Sequence, residues 1–143
     1  MATYLGTTIN ESPTIVVTAG ADIKAAQGKA VMLTKGKATT PTAGANVIGI
    51  IPLSEDEEIK NGSDFTVQVK DIGAWVASEK IEVGDELTTD ANGCAAKVQN
   101  GNFITAIALT AAEKAGTIIR VQLIKAGYKP TAEGGKRLWE TNR

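Results

Sequence analysis

Phe65-Thr66-Val67-Gln68-Val69-Lys70 and Ile119-Arg120-Val121-Gln122-Leu123 alternate apolar and polar side chains, one residue at a time. Successive side chains of an extended chain point to opposite faces, so this alternation predicts strands with one face buried and one in water. Outward from these segments the apolar stretches are rich in Val, Ile and Thr, residues that fit a pleated surface. They predict strands at 14–18, 30–34, 47–53, 65–71, 73–77, 86–88, 95–99, 103–110 and 117–124. Between them stand turn signals: Lys35-Gly36, Asn61-Gly62, Asp90-Ala91-Asn92-Gly93 and Asn100-Gly101. Helix signals are thin. Ala111-Ala112-Glu113-Lys114-Ala115 favours a helix but is closed at once by Gly116, and an isolated helix that short is marginal in water. The acidic segment 54–60 predicts a similar single turn. The expected class is all-β.

The same spacing contains an internal repeat. Lys24-Ala25-Ala26-Gln27-Gly28-Lys29-Ala30-Val31 aligns with Lys80-Ile81-Glu82-Val83-Gly84-Asp85-Glu86-Leu87, 56 residues later. Gly44-Ala45-Asn46-Val47-Ile48 aligns with Gly101-Asn102-Phe103-Ile104-Thr105 at an offset of 57, and Val67-Gln68-Val69 with Val121-Gln122-Leu123 at 54. Two halves, about 20–70 and 76–124, thus share one order of turns and strands. Two copies are too few for a solenoid. They suit two similar β-units packed into one sandwich or small barrel, which hides most strand edges.

Composition narrows the function. Among 143 residues there is no His, which removes the Ser-His-Asp triad, the Cys-His dyad and every histidine metal ligand. The single Cys94 has no internal disulfide partner and no His to activate it. With 15 Lys+Arg against 16 Asp+Glu, charge is nearly balanced, which argues against a protein that works by neutralising many phosphates. No stretch of about 20 apolar residues is present to span a membrane. The first residues, MATYLGTTINESPT, lack the basic start and apolar run of a secretory signal, so synthesis in the cytoplasm is expected. Gly20, Gly28 and Gly36 form neither GxGxxG nor GxxxxGK[ST]. The segment 85–93 lacks the alternating acids and closing Glu of a calcium loop. The run Glu55-Asp56-Glu57-Glu58 reads as a solvated loop. Catalytic residues, metal ligands and cofactors are therefore expected to be absent.

The ends differ from the middle. Residues 127–143 carry Pro130, the pair Gly134-Gly135 and no strand or helix period, which reads as an extended arm. Residues 1–13 read as a second arm, leaving 14–126 as the β-barrel domain. Leu138-Trp139 is an apolar anchor in a basic, polar tail, and Trp is favoured in binding hot spots. From the composition of the arms, Tyr4, Leu5, Tyr128, Arg137, Leu138 and Trp139 are the candidate contacts to partner subunits.

The order Ala19-Gly20-Ala21-Asp22-Ile23, Val47-Ile48-Gly49-Ile50, Gly73-Ala74-Trp75-Val76 and Val83-Gly84-Asp85-Glu86-Leu87, continued by the Asp90 to Gly93 turn, runs on into Ile104-Thr105-Ala106-Ile107-Ala108 and the 116–123 strand. Taken together, about residues 14–125 resemble the small tailed-phage proteins known as capsid cement or head decoration proteins. The resemblance implies a β-barrel or β-tulip-like sandwich without enzymatic activity. It also implies a homotrimer bound to the major capsid protein on the outside of the mature head. Nucleic acid and membrane are not expected partners, and the expected location is the virion. The alternative is another virion β-domain, associated with tail, baseplate or fibre.

Overall fold

The computed structural model describes residues 12–131. Twelve strands follow one another: β1 (Thr14–Thr18), β2 (Ile23–Lys24), β3 (Ala30–Thr34), β4 (Lys37–Thr39), β5 (Gly49–Ile50), β6 (Glu58–Ile59), β7 (Asp64–Gln68), β8 (Ile72–Val76), β9 (Glu86–Thr89), β10 (Ala95–Lys97), β11 (Phe103–Ala108) and β12 (Ile118–Tyr128). The described residues contain no helix. The first seven strands build one antiparallel sheet in the order β1-β7-β5-β3-β4 and a small β2-β6 pair; the last five build a second sheet in the order β8-β12-β11-β9-β10.

These orders are the same order. Ala30 faces Ile50 and Val31 faces Gly49 in the first sheet, just as Glu86 faces Ile107 and Leu87 faces Ala106 in the second. Ile50 meets Gln68, as Ile107 meets Gln122. Thr18 pairs with Asp64 and Val17 with Phe65, as Val76 pairs with Ile118 and Trp75 with Ile119. Loop bonds repeat too: the Ile51 N–H donates to the Lys29 carbonyl at 2.8 Å, and the Ala108 N–H to the Asp85 carbonyl at 3.0 Å. The chain is an internal duplication at the level of register.

Each sheet curls until its edge strands meet at a single parallel bridge, Ala19 to Ala38 in the first unit and Ala77 to Ala95 in the second. Alanine at all four positions lets the backbones approach. Neither sheet closes along its length, so the arrangement is a sandwich of two curled sheets rather than one closed barrel. Each unit has its own core at corresponding positions: Val31, Phe65 and Val67 in the first, Leu87, Ile119 and Val121 in the second.

The units join because the first presents a second apolar face. Ala30, Val47 and Ile50 alternate with residues of their own core and pack instead into the core of the second unit, beside Trp75 and Leu87. Four backbone hydrogen bonds run along this seam. The Ala30 N–H donates to the Gly93 carbonyl at 2.7 Å and the Val76 N–H to the Gly28 carbonyl at 2.9 Å. Gly44 donates to the Thr89 carbonyl at 2.8 Å and accepts from the Phe103 N–H at 3.0 Å. The Gly93 carbonyl also accepts the indole N–H of the fully buried Trp75 at 2.8 Å.

Several expectations shift. The segment 47–53 keeps two paired residues, because Val47 and Ile51 turn into two different cores. The segment 111–115 is bridged through Ala112 to Ile81 before it enters the turn closed by Gly116, so it holds no helical turn, and the acidic 54–60 segment ends in β6. β2, β4 and β6 are too short to show a period. β12 runs to Tyr128, past the expected arm boundary at 127, since a bulge at Ile104/Ala106 lets it pair with β11 again through Gly127 and Tyr128.

Gly36 and Gly93 share a left-handed φ, +82° and +81°, but a Cβ at Gly36 meets open space whereas at Gly93 it would lie 2.7 Å from the Ala30 carbonyl oxygen. Both Gly→Ala changes should cost about 1–2 kcal/mol for the backbone. Gly93→Ala should lose roughly 1–3 kcal/mol more from overpacking, measured by urea unfolding of dilute protein. Trp75→Phe should cost roughly 1–3 kcal/mol for lost volume and a lost buried hydrogen bond. The hydroxyl of Thr105 is buried without a partner, and its counterpart in the first unit is Ile48. Thr105→Val should therefore raise stability, by about 1 kcal/mol.

Candidate docking surface

The surface offers little for chemistry. Among the described residues no group of three or more His, Cys, Asp or Glu is placed to hold a metal ion. Burial, followed by the neighbouring Asp90 carboxylate, raises the Cys94 thiol above its ordinary pKa, and Lys29 offsets this in part. A reactive thiol needs the opposite shift. Partial burial lowers the Lys125 ammonium pKa. Among the described residues no helix is long and apolar enough to cross a membrane.

The two principal cavities are shallow. One, of about 250 Å³, is lined by Leu33, Asn46, Val47, Ile48 and Lys125. The other, of about 190 Å³, is lined by Asp85, Glu86, Lys97, Val98 and Lys129. Neither brings together an acid, a base and a nucleophile in a dry pocket, the arrangement that hydrolytic chemistry requires.

Of the residues singled out in the sequence, Tyr128 alone falls in the described part; Tyr4, Leu5, Arg137, Leu138 and Trp139 lie outside the described residues. Tyr128 is 62% exposed at the end of β12. Its ring stands edge-on to Phe103, with centroids 5.1 Å apart and planes at 79°. Such a pair holds an otherwise mobile aromatic in a fixed orientation while leaving its outer face free. The segment is pinned further, since the Lys129 N–H donates to the Asn102 carbonyl at 2.8 Å and the Gly101 N–H to the Lys129 carbonyl at 2.8 Å. Tyr128 is therefore part of the body, on a rigid strand end.

Exposed apolar side chains that sequence reading passed over are Val16, Leu33, Ile72, Val83 and Ile118. Leu33 belongs to a hairpin whose two-residue turn, Lys35-Gly36, has positive φ at both positions, +52° and +82°. This is the geometry of a type I′ turn, which matches strand twist and holds the tip rigid. Alternation places Leu33 on the same face as the buried Val31, so its exposure comes from its position toward the hairpin end of β3, beyond the core that covers Val31.

Comparison with known proteins agrees with this geometry. A search of curated protein sequences finds no match. Among solved structures, the base of the head fibre gp8.5 of bacteriophage phi29 is similar, with a TM-score of 0.63 and 14% identity. The match covers 81% of this chain and 97% of that one, and at such low identity it speaks for the fold. The profile of phage cement proteins matches residues 8–123, nearly the whole body described above. The two-unit β-body thus belongs to the phage cement protein family.

Proposed function

We propose that the chain is a non-enzymatic capsid decoration protein that binds the outside of the mature phage head and stiffens it. The observation that carries this reading is the family match across residues 8–123, on a body with two rigid β-units and shallow, open cavities. The partner is the major capsid protein, and the location is the exterior of the virion. Self-association, with the homotrimer as the expected form, supports the mechanism. One subunit makes a modest contact, and joined subunits bridging several capsid proteins gain affinity through effective concentration.

The similarity to a head-fibre base favours a second reading, in which the body is an anchor on the head for a projecting structure. Tail or baseplate attachment is the remaining alternative. Co-sedimentation separates them. The purified protein should bind saturably to mature heads stripped of it, and neither to unexpanded procapsids nor to tails. Binding to tails alone, or to no particle, contradicts the proposal.

The candidate contacts Tyr4, Leu5, Arg137, Leu138 and Trp139 belong to terminal segments, and Tyr128 to the end of β12. Removing residues 132–143 should leave the unfolding midpoint unchanged, because the twelve strands and the seam bonds of the described residues lie before that point. The same truncation, or Trp139→Ala alone, should weaken head binding by about tenfold or more, the loss of a binding hot spot. Unchanged binding by both variants would remove the C-terminal segment from the interface.

A further inference from the structure

The seam between the two units is one-directional. A two-fold relation would require every contact to occur twice, with the roles of the units exchanged. The exchanged contacts are missing. The counterpart of Gly93 is Gly36, and nothing lies within 4 Å of a Cβ placed there. The counterpart of Gly28 is Gly84, whose surroundings are likewise open. The counterpart of Gly44 is Gly101, which is exposed; an added Cβ there would meet Thr131 alone, and its N–H is already bonded to the Lys129 carbonyl at 2.8 Å. The first unit therefore uses one face on the second, and each unit retains the face that its counterpart has buried.

Burial shows the same asymmetry. Thr89 is 1% exposed under the first unit, whereas its counterpart Leu33 is 47% exposed. Phe103 and Thr105 are buried, and their counterparts Asn46 and Ile48 are exposed and half-buried. On the complementary face Ala30 is buried while its counterpart Glu86 is exposed. The two main cavities fall on these two vacant faces, one at Leu33, Asn46 and Ile48, the other at Asp85 and Glu86.

We infer that the vacant face of the second unit docks on the vacant face of the first unit of another copy, continuing the internal seam from chain to chain. The occupant is a second copy of this chain because the missing contact partners are its own counterpart surfaces. In the internal seam Lys29 packs against the Asp90 to Gly93 turn, its Cβ 3.3 Å from a Cβ placed at Gly93. Between chains both signs invert. Asp85 takes the place of Lys29, and the facing hairpin tip carries Lys35 and Lys37. The cavity there carries both signs: Lys97 and Lys129 border it beside Asp85 and Glu86, and Lys129 lies 4.0 Å from Glu86, which leaves Asp85 as the acid that faces the lysines of the hairpin tip. Inverted charge keeps the internal and external pairings from exchanging partners. A contact of this head-to-tail kind closes into a ring or runs on as a filament according to its rotation.

The inference deepens the self-association proposed above, and its test contains no phage heads, so its failure is separate from a failure of head binding. The pair Gly36 and Asp85 corresponds to Gly93 and Lys29, whose Cβ separation is close to that of a disulfide. Chains carrying Gly36→Cys and chains carrying Asp85→Cys, both with Cys94→Ser, would be mixed and oxidised. The expected product is a reducible heterodimer in several-fold excess over a control that replaces Gly36→Cys with Gly62→Cys, an equally open glycine at φ +89°. Circular dichroism would verify that each variant is folded. As a second readout, Asp85→Lys should weaken association in sedimentation velocity, and Lys37→Asp on the partner chain should restore it. Cross-linking at the control level, or a charge reversal without effect or rescue, overturns the inference.

Discussion

The carbonyl of Gly93 is where the molecule is held together. It accepts the indole N–H of Trp75 at 2.8 Å from its own unit and the backbone N–H of Ala30 at 2.7 Å from the other. A carbonyl has two acceptor sites, and both are filled here in a buried setting where an unpaired donor is costly. The geometry demands a residue without a Cβ, since any side chain at 93 would strike Ala30. It also demands a small residue at 30 and a left-handed turn before Cys94. The other seam glycines obey the same constraint: a Cβ on Gly28 would lie 2.9 Å from Val76, and one on Gly44 would collide with Asn102.

Backbone-to-backbone contact explains why the duplication forms one body. A unit of about 55 residues buries a smaller share of its surface than a larger domain does, and is marginal alone. Its cores are built largely of Ala, Val and Ile, with one Trp and few aromatics. By lending Ala30, Val47 and Ile50 to the second core, the first unit extends one apolar interior across both sheets. The lending runs in one direction, so Gly36 and Gly84 stay open where their counterparts Gly93 and Gly28 are packed into the seam. The same duplication thus yields a stable chain and, by the propagated seam we infer, a surface for assembly.

Much of this was legible in the sequence. The alternation at 65–70 and 119–123 marked β7 and β12, β1 and β3 were placed to the residue, and the repeat emerged from glycine spacing. The repeat was readable because its glycines are tied to turns, which recur at fixed places in each unit. The short strands β2, β4 and β6 were missed, since two or three residues have no period and owe their pairing to tertiary position. The direction of the seam was equally hidden. Gly28 and Gly84 look alike in sequence, and only the packing separates a buried glycine from an open one. Tyr128 falls in the segment read as an arm from Pro130, Gly134-Gly135 and the absence of a strand period, whereas the bulge in β12 uses Gly127 at φ +90° to resume pairing.

Membership in the phage cement protein family supports a structural role at the phage head. An electron cryo-microscopy reconstruction of heads decorated with the purified protein would test the account most directly. The account predicts density on the outer surface, two similar β-lobes per chain, and neighbouring chains meeting through the Lys35-Gly36 hairpin of one and the Asp85 to Glu86 edge of the next. Bare heads would contradict the proposed function. Decorated heads whose chains meet through other faces, or stand apart, would contradict the propagated seam.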